Sequence, residues 1–222
     1  MLIYRSLRQV KQSVLAKGYK FFDKSVNLIG ERTNDTFTNT FSDMLHCCYF
    51  DYSDNTQKII TIPWTTKAGI YGKGSTSDPI TASGFNIATN KWETVTGTGV
   101  IVEGQYDKVW QFVDSYIGWL RYPYFQEVGP FLIYRDGNKD LNIDRDMPIH
   151  KGVFGINGHR MSGVGQSTGL LSYINSNPWS IACQGAPEQE FKKLLPIIRA
   201  DVTKFGSLFS YTLLNSKDIQ SI

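Results

Sequence analysis

The chain has 222 residues and a mass of 25.1 kDa, with 41% hydrophobic and 14% aromatic residues and a formal charge of +3. That length fits one large domain, and the apolar content is enough for a packed core, which excludes a disordered chain. Scattered Lys and Arg, with no basic run interleaved with aromatics, exclude nucleic acid as a partner, and the lack of any apolar run of about 18 residues excludes a helical membrane span.

The mild basic balance suits an anionic polymer such as a cell wall. The first 22 residues, MLIYRSLRQVKQSVLAKGYKFF, have neither a continuous apolar stretch nor a small-residue cleavage site, so no cleaved secretory signal is expected. Three cysteines, Cys47 and Cys48 side by side and Cys183 alone, make no disulfide framework and no CxxC zinc spacing.

In chain order, Leu7, Val10, Val14 and Leu15 form one apolar stripe opposite Lys and Arg, which predicts a helix over about 4–20 ended by Gly18. Docking onto its own domain is the expected role of that stripe. Residues 1–24 are thus read as a helical segment and 25–222 as a β-rich domain. Strands are predicted over 26–29, 59–64, 99–102, 131–134, 153–156 and 208–213, separated by turn clusters at 71–75, 82–84 and 136–138. Cys47 and Cys48 fall on a strand, one facing in and one facing out. His46 and His150 read as structural. Asp136, Asn138, Asp140, Asn142 and Asp144 alternate as a Ca²⁺ loop does, but the sixth-position Gly and twelfth-position Glu are missing, and a polar hairpin turn is the alternative. No cofactor is expected. A second helix is predicted over 187–204, with Pro187 at its start, Glu188 and Glu190 in its first turn, a kink or break at Pro196 and Gly206 beyond its end.

The segment 152–184, GVFGINGHRMSGVGQSTGLLSYINSNPWSIACQ, carries the candidate chemistry. A strand-like run leads to His159, and a Gly/Ser-rich excursion returns through Trp179 and Ser180 to Cys183. A thiol needs a nearby base to ionise at neutral pH, and an imidazole is the usual partner. Small residues beside the cysteine let backbone amides face an oxyanion. A packing cysteine and a packing histidine are the alternative. Arg160 follows His159 and pairs either with a substrate carboxylate or with a structural one. Trp179 either walls a groove or anchors the loop, and Ser180 either orients His159 or bonds within the turn.

His159, a loop, and then Ser180-x-x-Cys183 is similar to the signature of L,D-transpeptidases, which ends in Ser-His-Gly-Cys. The resemblance implies a β-sandwich or barrel core, Cys183 as nucleophile, His159 as its base, and oxyanion donors around Ala182 and Cys183. It places Ser180, Arg160, Trp179 and Gln184 around the site. Ile181 stands where the family has a second His, Ala182 where it has Gly, and Gly185 where it often has Arg. The blocks NLIGERT (27–33), NTFSD (39–43), TIPWTTKAG (61–69), VEGQY (102–106), YRDGNKD (134–140) and GVFGINGHR (152–160) also resemble an uncharacterised family of Bacteroidetes bacteria and their phages. There the ending reads as an Asn-Ile-His-Arg strand and a Trp-Ser-x-Gly-Cys-Gln turn.

The expectation is a mainly β, mostly antiparallel domain with an N-terminal and a C-terminal helix. Its expected activity is acyl transfer at a peptidoglycan stem peptide, as peptidase, amidase or transpeptidase. Without a signal, a phage lysin that waits in the host cytoplasm, or a virion-borne wall enzyme, fits better than a resident periplasmic enzyme. The alternative is an inactive virion or tail component with the same fold, in contact with other virion proteins.

Overall fold

A computed structural model of the chain describes residues 4–36, 41–67, 81–116, 122–136, 142–161 and 182–219. Ser6 caps the first helix, α1 (Leu7–Ala16): its hydroxyl accepts from Gln9 N and the Gln9 side chain accepts from Ser6 N. Val10 and Val14 bury against Ile29, Cys48, Leu214 and Ile219, so the helix docks on its own domain as expected. Leu15 departs from the predicted stripe and is half exposed.

Two sheets follow. The larger runs, in neighbour order, β12 (Gln184–Ala186), β11 (Gly158–Arg160), β8 (Tyr124–Glu127), β7 (Gly104–Val113), β13 (Leu208–Asn215), β1 (Asn27–Arg32), β2 (Asp43–Asp51) and β3 (Thr56–Trp64). The smaller runs β5 (Lys91–Thr96), β4 (Thr81–Asn86), β10 (His150–Gly152), β9 (Phe131–Asp136) and β6 (Thr98–Ile101). Among the described residues only β1 with β13 and β11 with β12 pair in parallel; the other ladders are antiparallel. Past the end of β3, Thr65 N donates to Gly185 O (2.8 Å) and Gly185 N to Thr65 O (3.2 Å). The two edges of the larger sheet therefore meet, which makes it a nearly closed, barrel-like layer. Its interior holds Trp64, Trp110, Phe125 and Tyr211, joined by Ile101, Phe131 and Ile133 of the smaller sheet.

Three local expectations are corrected. Residues 153–156 form no strand: Gly155 has φ +77°, and the Phe154 and Ile156 amides bond a carboxylate rather than a ladder partner. Residues 82–84, read as a turn, lie inside β4, where pairing to β5 overrides the turn-forming composition. The break at Pro196 does not occur: the second helix, α2 (Glu188–Phe205), is one element through that residue, while Pro187 at its cap and Gly206 just beyond are where the sequence put them. Cys47 and Cys48 do face opposite ways, but both are buried, Cys47 in the main core and Cys48 under α1, because β2 is covered on both faces. Burial pushes the Cys48 thiol up to about 12 and Cys47 well above its ordinary value.

Candidate functional site

Cys183 and His159 sit on neighbouring chains of one ladder. β11 and β12 pair in parallel with His159 level with Gly185 and Gly158 level with Gln184. Level residues of a parallel pair share a face, and that face alternates. Cys183 therefore lies on the His159 side, one strand across and two residues back, a Cα separation of about 8 Å from strand spacing and rise. Met161, on the same face, packs with Phe41 and Cys183.

The imidazole is held in one tautomer. Nδ1 lies 2.5 Å from the Arg160 carbonyl, which can only accept, so Nδ1 carries the hydrogen. Tyr122 closes over this bond: its hydroxyl donates to the same carbonyl at 2.9 Å and lies 3.2 Å from Nδ1. Nε2 is left with its lone pair, buried, and with no hydrogen-bond partner among the described residues. His159 is 1% exposed, and burial drives its pKa down to about 4, partly opposed by the bond to Arg160 O. It is a neutral imidazole at physiological pH.

Cys183 is half-buried. Its Sγ lies 3.4 Å from Gly155 O, to which the thiol donates, and 3.4 Å from Asn157 N, which donates to it. These contacts run to the loop before β11; neither ring nitrogen of His159 bonds the sulfur. The loop is itself gripped from the other side by Glu127 at the end of β8. Glu127 Oε2 accepts from Phe154 N (2.9 Å) and Ile156 N (2.6 Å), and Asn157 Oδ1 accepts from Glu127 N at 2.9 Å. Burial raises the Glu127 pKa to about 7, against the lowering effect of the amides of Ile156, Phe154 and Gly155.

The remaining predicted residues separate. Arg160 points to the opposite face, pairs with Glu188 of α2 and lies 4.0 Å over the Tyr122 ring, so its carboxylate partner is structural. Gln184 is not at the site: it is 0% exposed in the core, where its Oε1 accepts from Tyr211 OH (2.5 Å) and Trp64 Nε1 (3.2 Å). Ala182 is half-buried and packs toward the main core. Ser180, Trp179, Asn138 and Asp140 lie outside the described residues, as do the turn at 71–75 and the centre of the candidate Ca²⁺ loop. Among the described residues no group of His, Cys, Asp and Glu is arranged to hold a metal. Gly185 has a steric reason: a β-carbon there would lie 2.0 Å from the His159 carbonyl oxygen, so no side chain fits.

Sequence reading missed Tyr122 and Glu127. Neither carries a motif, and their importance comes from where β8 and the segment before it lie against β11. The two histidines read as structural have carboxylate partners: His46 Nε2 is 2.9 Å from Glu31, and His150 Nε2 is 2.6 Å from Glu93.

A cavity of about 280 Å³ opens beside Tyr122 and Arg160, lined also by Glu188, Phe191 and Lys192. A larger one, about 380 Å³, lies between the end of β2 and α2. Neither is lined by Cys183 or His159, and the smaller adjoins the imidazole only through Tyr122. Compared with known protein families, curated proteins and solved structures, the chain matches none.

Proposed function

We propose that this chain is a cysteine-dependent acyl-transfer enzyme of L,D-transpeptidase-like fold, acting on amide bonds of the peptidoglycan stem peptide. One observation carries the reading. A buried imidazole has Nδ1–H fixed by a backbone carbonyl and an Nε2 lone pair without a partner among the described residues, on the same sheet face as a half-buried thiol that already receives a backbone N–H. A purely structural histidine in a folded core ordinarily has both nitrogens satisfied.

In the reaction, Cys183 gives its proton to His159 Nε2 and the thiolate attacks the substrate carbonyl carbon. A C–S bond forms, the C–N bond breaks, and the amine leaves with the proton from His159. Backbone donors near the sulfur hold the oxyanion. Water or a second amine then releases the acyl group and restores the thiol. Burial alone disfavours the imidazolium, so the proton transfer depends on the thiolate as its counter-charge. The reading extends to a phage lysin or virion-borne wall enzyme that reaches the wall by another protein's action.

The test is turnover on purified peptidoglycan. Wild type releases or transfers stem-peptide products, and Cys183→Ala loses all of it. Equal product from both proteins, or none from either, removes the enzyme reading. The second reading, an inactive virion or wall-binding component, is favoured by the sulfur's engagement with the loop rather than with the imidazole. It predicts retention of the chain on peptidoglycan or on virions with no products.

A further inference from the structure

Between the Cys183 sulfur and the β8 strand lies the irregular loop 153–157, gripped on both sides. On one side the Glu127 carboxylate takes the amides of Phe154 and Ile156, across Gly155 with its left-handed backbone. Successive amides converging on one acceptor form an anion nest, and the bonds are strong because the acceptor is charged. On the other side the Gly155 carbonyl and the Asn157 amide face the sulfur. The peptide whose amide hydrogen bonds Glu127 from Ile156 is the peptide whose carbonyl belongs to Gly155. A single rigid unit therefore bonds the carboxylate at one edge and the thiol at the other.

We propose that Glu127 is a positioning residue for the Cys183 thiol, aiming the Gly155 carbonyl and the Asn157 amide at the sulfur through the loop it anchors. The inference rests on the reading of Cys183 as the nucleophile. Glu127 does not touch the sulfur and acts only through the peptide. No charged side chain among the described residues faces its carboxylate: Trp110 stands opposite on β7, the loop offers backbone amides, and Asn157 is neutral. The titratable or charged groups against the same loop are Cys183, Arg135 of β9, whose guanidinium lies 5.0 Å from the Phe154 ring centre, and, further on, His159. Because burial brings Glu127 to about 7, its charge changes within the range where a cysteine enzyme works. Protonation removes the charge that draws the amides in, and the Gly155 carbonyl is released from its aim at the thiol.

The experiment is the rate of iodoacetamide alkylation at Cys183, followed by peptide mass spectrometry from pH 5 to 9. Cys47 and Cys48 are the buried internal controls. Wild type is expected to show two steps, one from the thiol and one near neutrality from Glu127. Glu127→Gln keeps an acceptor oxygen but no titrating charge and is expected to lose the second step and keep the first. Glu127→Asp, too short to reach both amides, is expected to lose it as well. A merely structural anchor lowers the melting temperature and leaves the profile's shape alone. A single step in wild type, or superimposable profiles in wild type and Glu127→Gln, overturns the proposal, and the wild-type arm needs no variant to fold. Absence of turnover on peptidoglycan with a two-step profile removes peptidoglycan as the substrate and leaves Glu127 as the group that sets the reactivity of the Cys183 thiol.

Discussion

His159 and Glu127 both titrate away from their ordinary ranges because both are buried, and they do so in opposite senses. His159 falls from 6.5 to about 4, so the unfolded chain takes up a proton that the folded chain refuses. Its contribution to stability is full above about pH 6.5 and is lost as pH falls toward 4. Glu127 rises from 4.5 to about 7, so its contribution is full below about 4.5 and is lost as pH rises through 7. Each is worth on the order of 3 kcal/mol at its extreme. Between pH 4.5 and 6.5 the two slopes cancel. Urea unfolding across that range is expected to show Glu127→Gln losing stability as pH falls, and His159→Gln losing it as pH rises. Parallel curves for wild type and both variants would remove the account of these two groups.

Periodicity made α1, α2 and much of β1, β3, β6, β9 and β13 legible, since their apolar residues repeat at 3.6 or cluster in short β-branched runs. β2 was not legible as a whole because it is buried on both faces and carries Asp43 and His46 among its apolar residues. Those polar residues are satisfied across strands: Asp43 bonds Thr33, Thr66 and Lys67, while Glu31 accepts from Arg5 and faces His46. Arg32 completes the layer, pairing with Glu103 at 2.8 Å. Against burial, His46 and Arg5 hold Glu31 down at about 2, and Arg145 and Arg32 hold Glu103 down at about 2. Glu31, Arg32, Asp43, His46, Thr66, Lys67 and Glu103 thus meet in one buried polar layer, a convergence with no periodic pattern to reveal it. Residue type singled out Cys183 and His159; Glu127, one glutamate in YFQEVG, carried no such signal.

Two substitutions test packing at this scale. Gly30 leaves room for the Tyr211 hydroxyl, which a β-carbon would meet at 2.0 Å. Gly30→Ala is expected to push Tyr211 off Gln184 and cost about 1–3 kcal/mol in urea unfolding; an unchanged midpoint contradicts this. Arg135 on β9 is buried, donates Nη1 to Gly97 O, and has Nε and Nη2 without partners among the described residues. Desolvation lowers its pKa to about 10. Its guanidinium also lies 5.0 Å from the Phe154 ring centre, but no carboxylate among the described residues pairs with it. Arg135→Met removes this desolvated charge and is expected to gain about 1–3 kcal/mol; a loss of that size would mean the guanidinium is paired in solution.

For the whole molecule, the site is where the barrel closes. Thr65 bonds Gly185 from one edge of the larger sheet while β11 holds β12 from the other, so the strand after Cys183 is fixed on both sides. Gly185→Ala places a β-carbon against the His159 carbonyl and is expected to open this seam, seen as faster hydrogen exchange at the Thr65 and Gly185 amides. The proposed function has the His159 lone pair serve the Cys183 sulfur between β11 and β12, beside that seam. The most direct measurement is the rate of Cys183 alkylation by iodoacetamide at pH 6 in wild type and in His159→Gln. His159→Gln is expected to lower the rate about tenfold or more. Equal rates in the two proteins would contradict it.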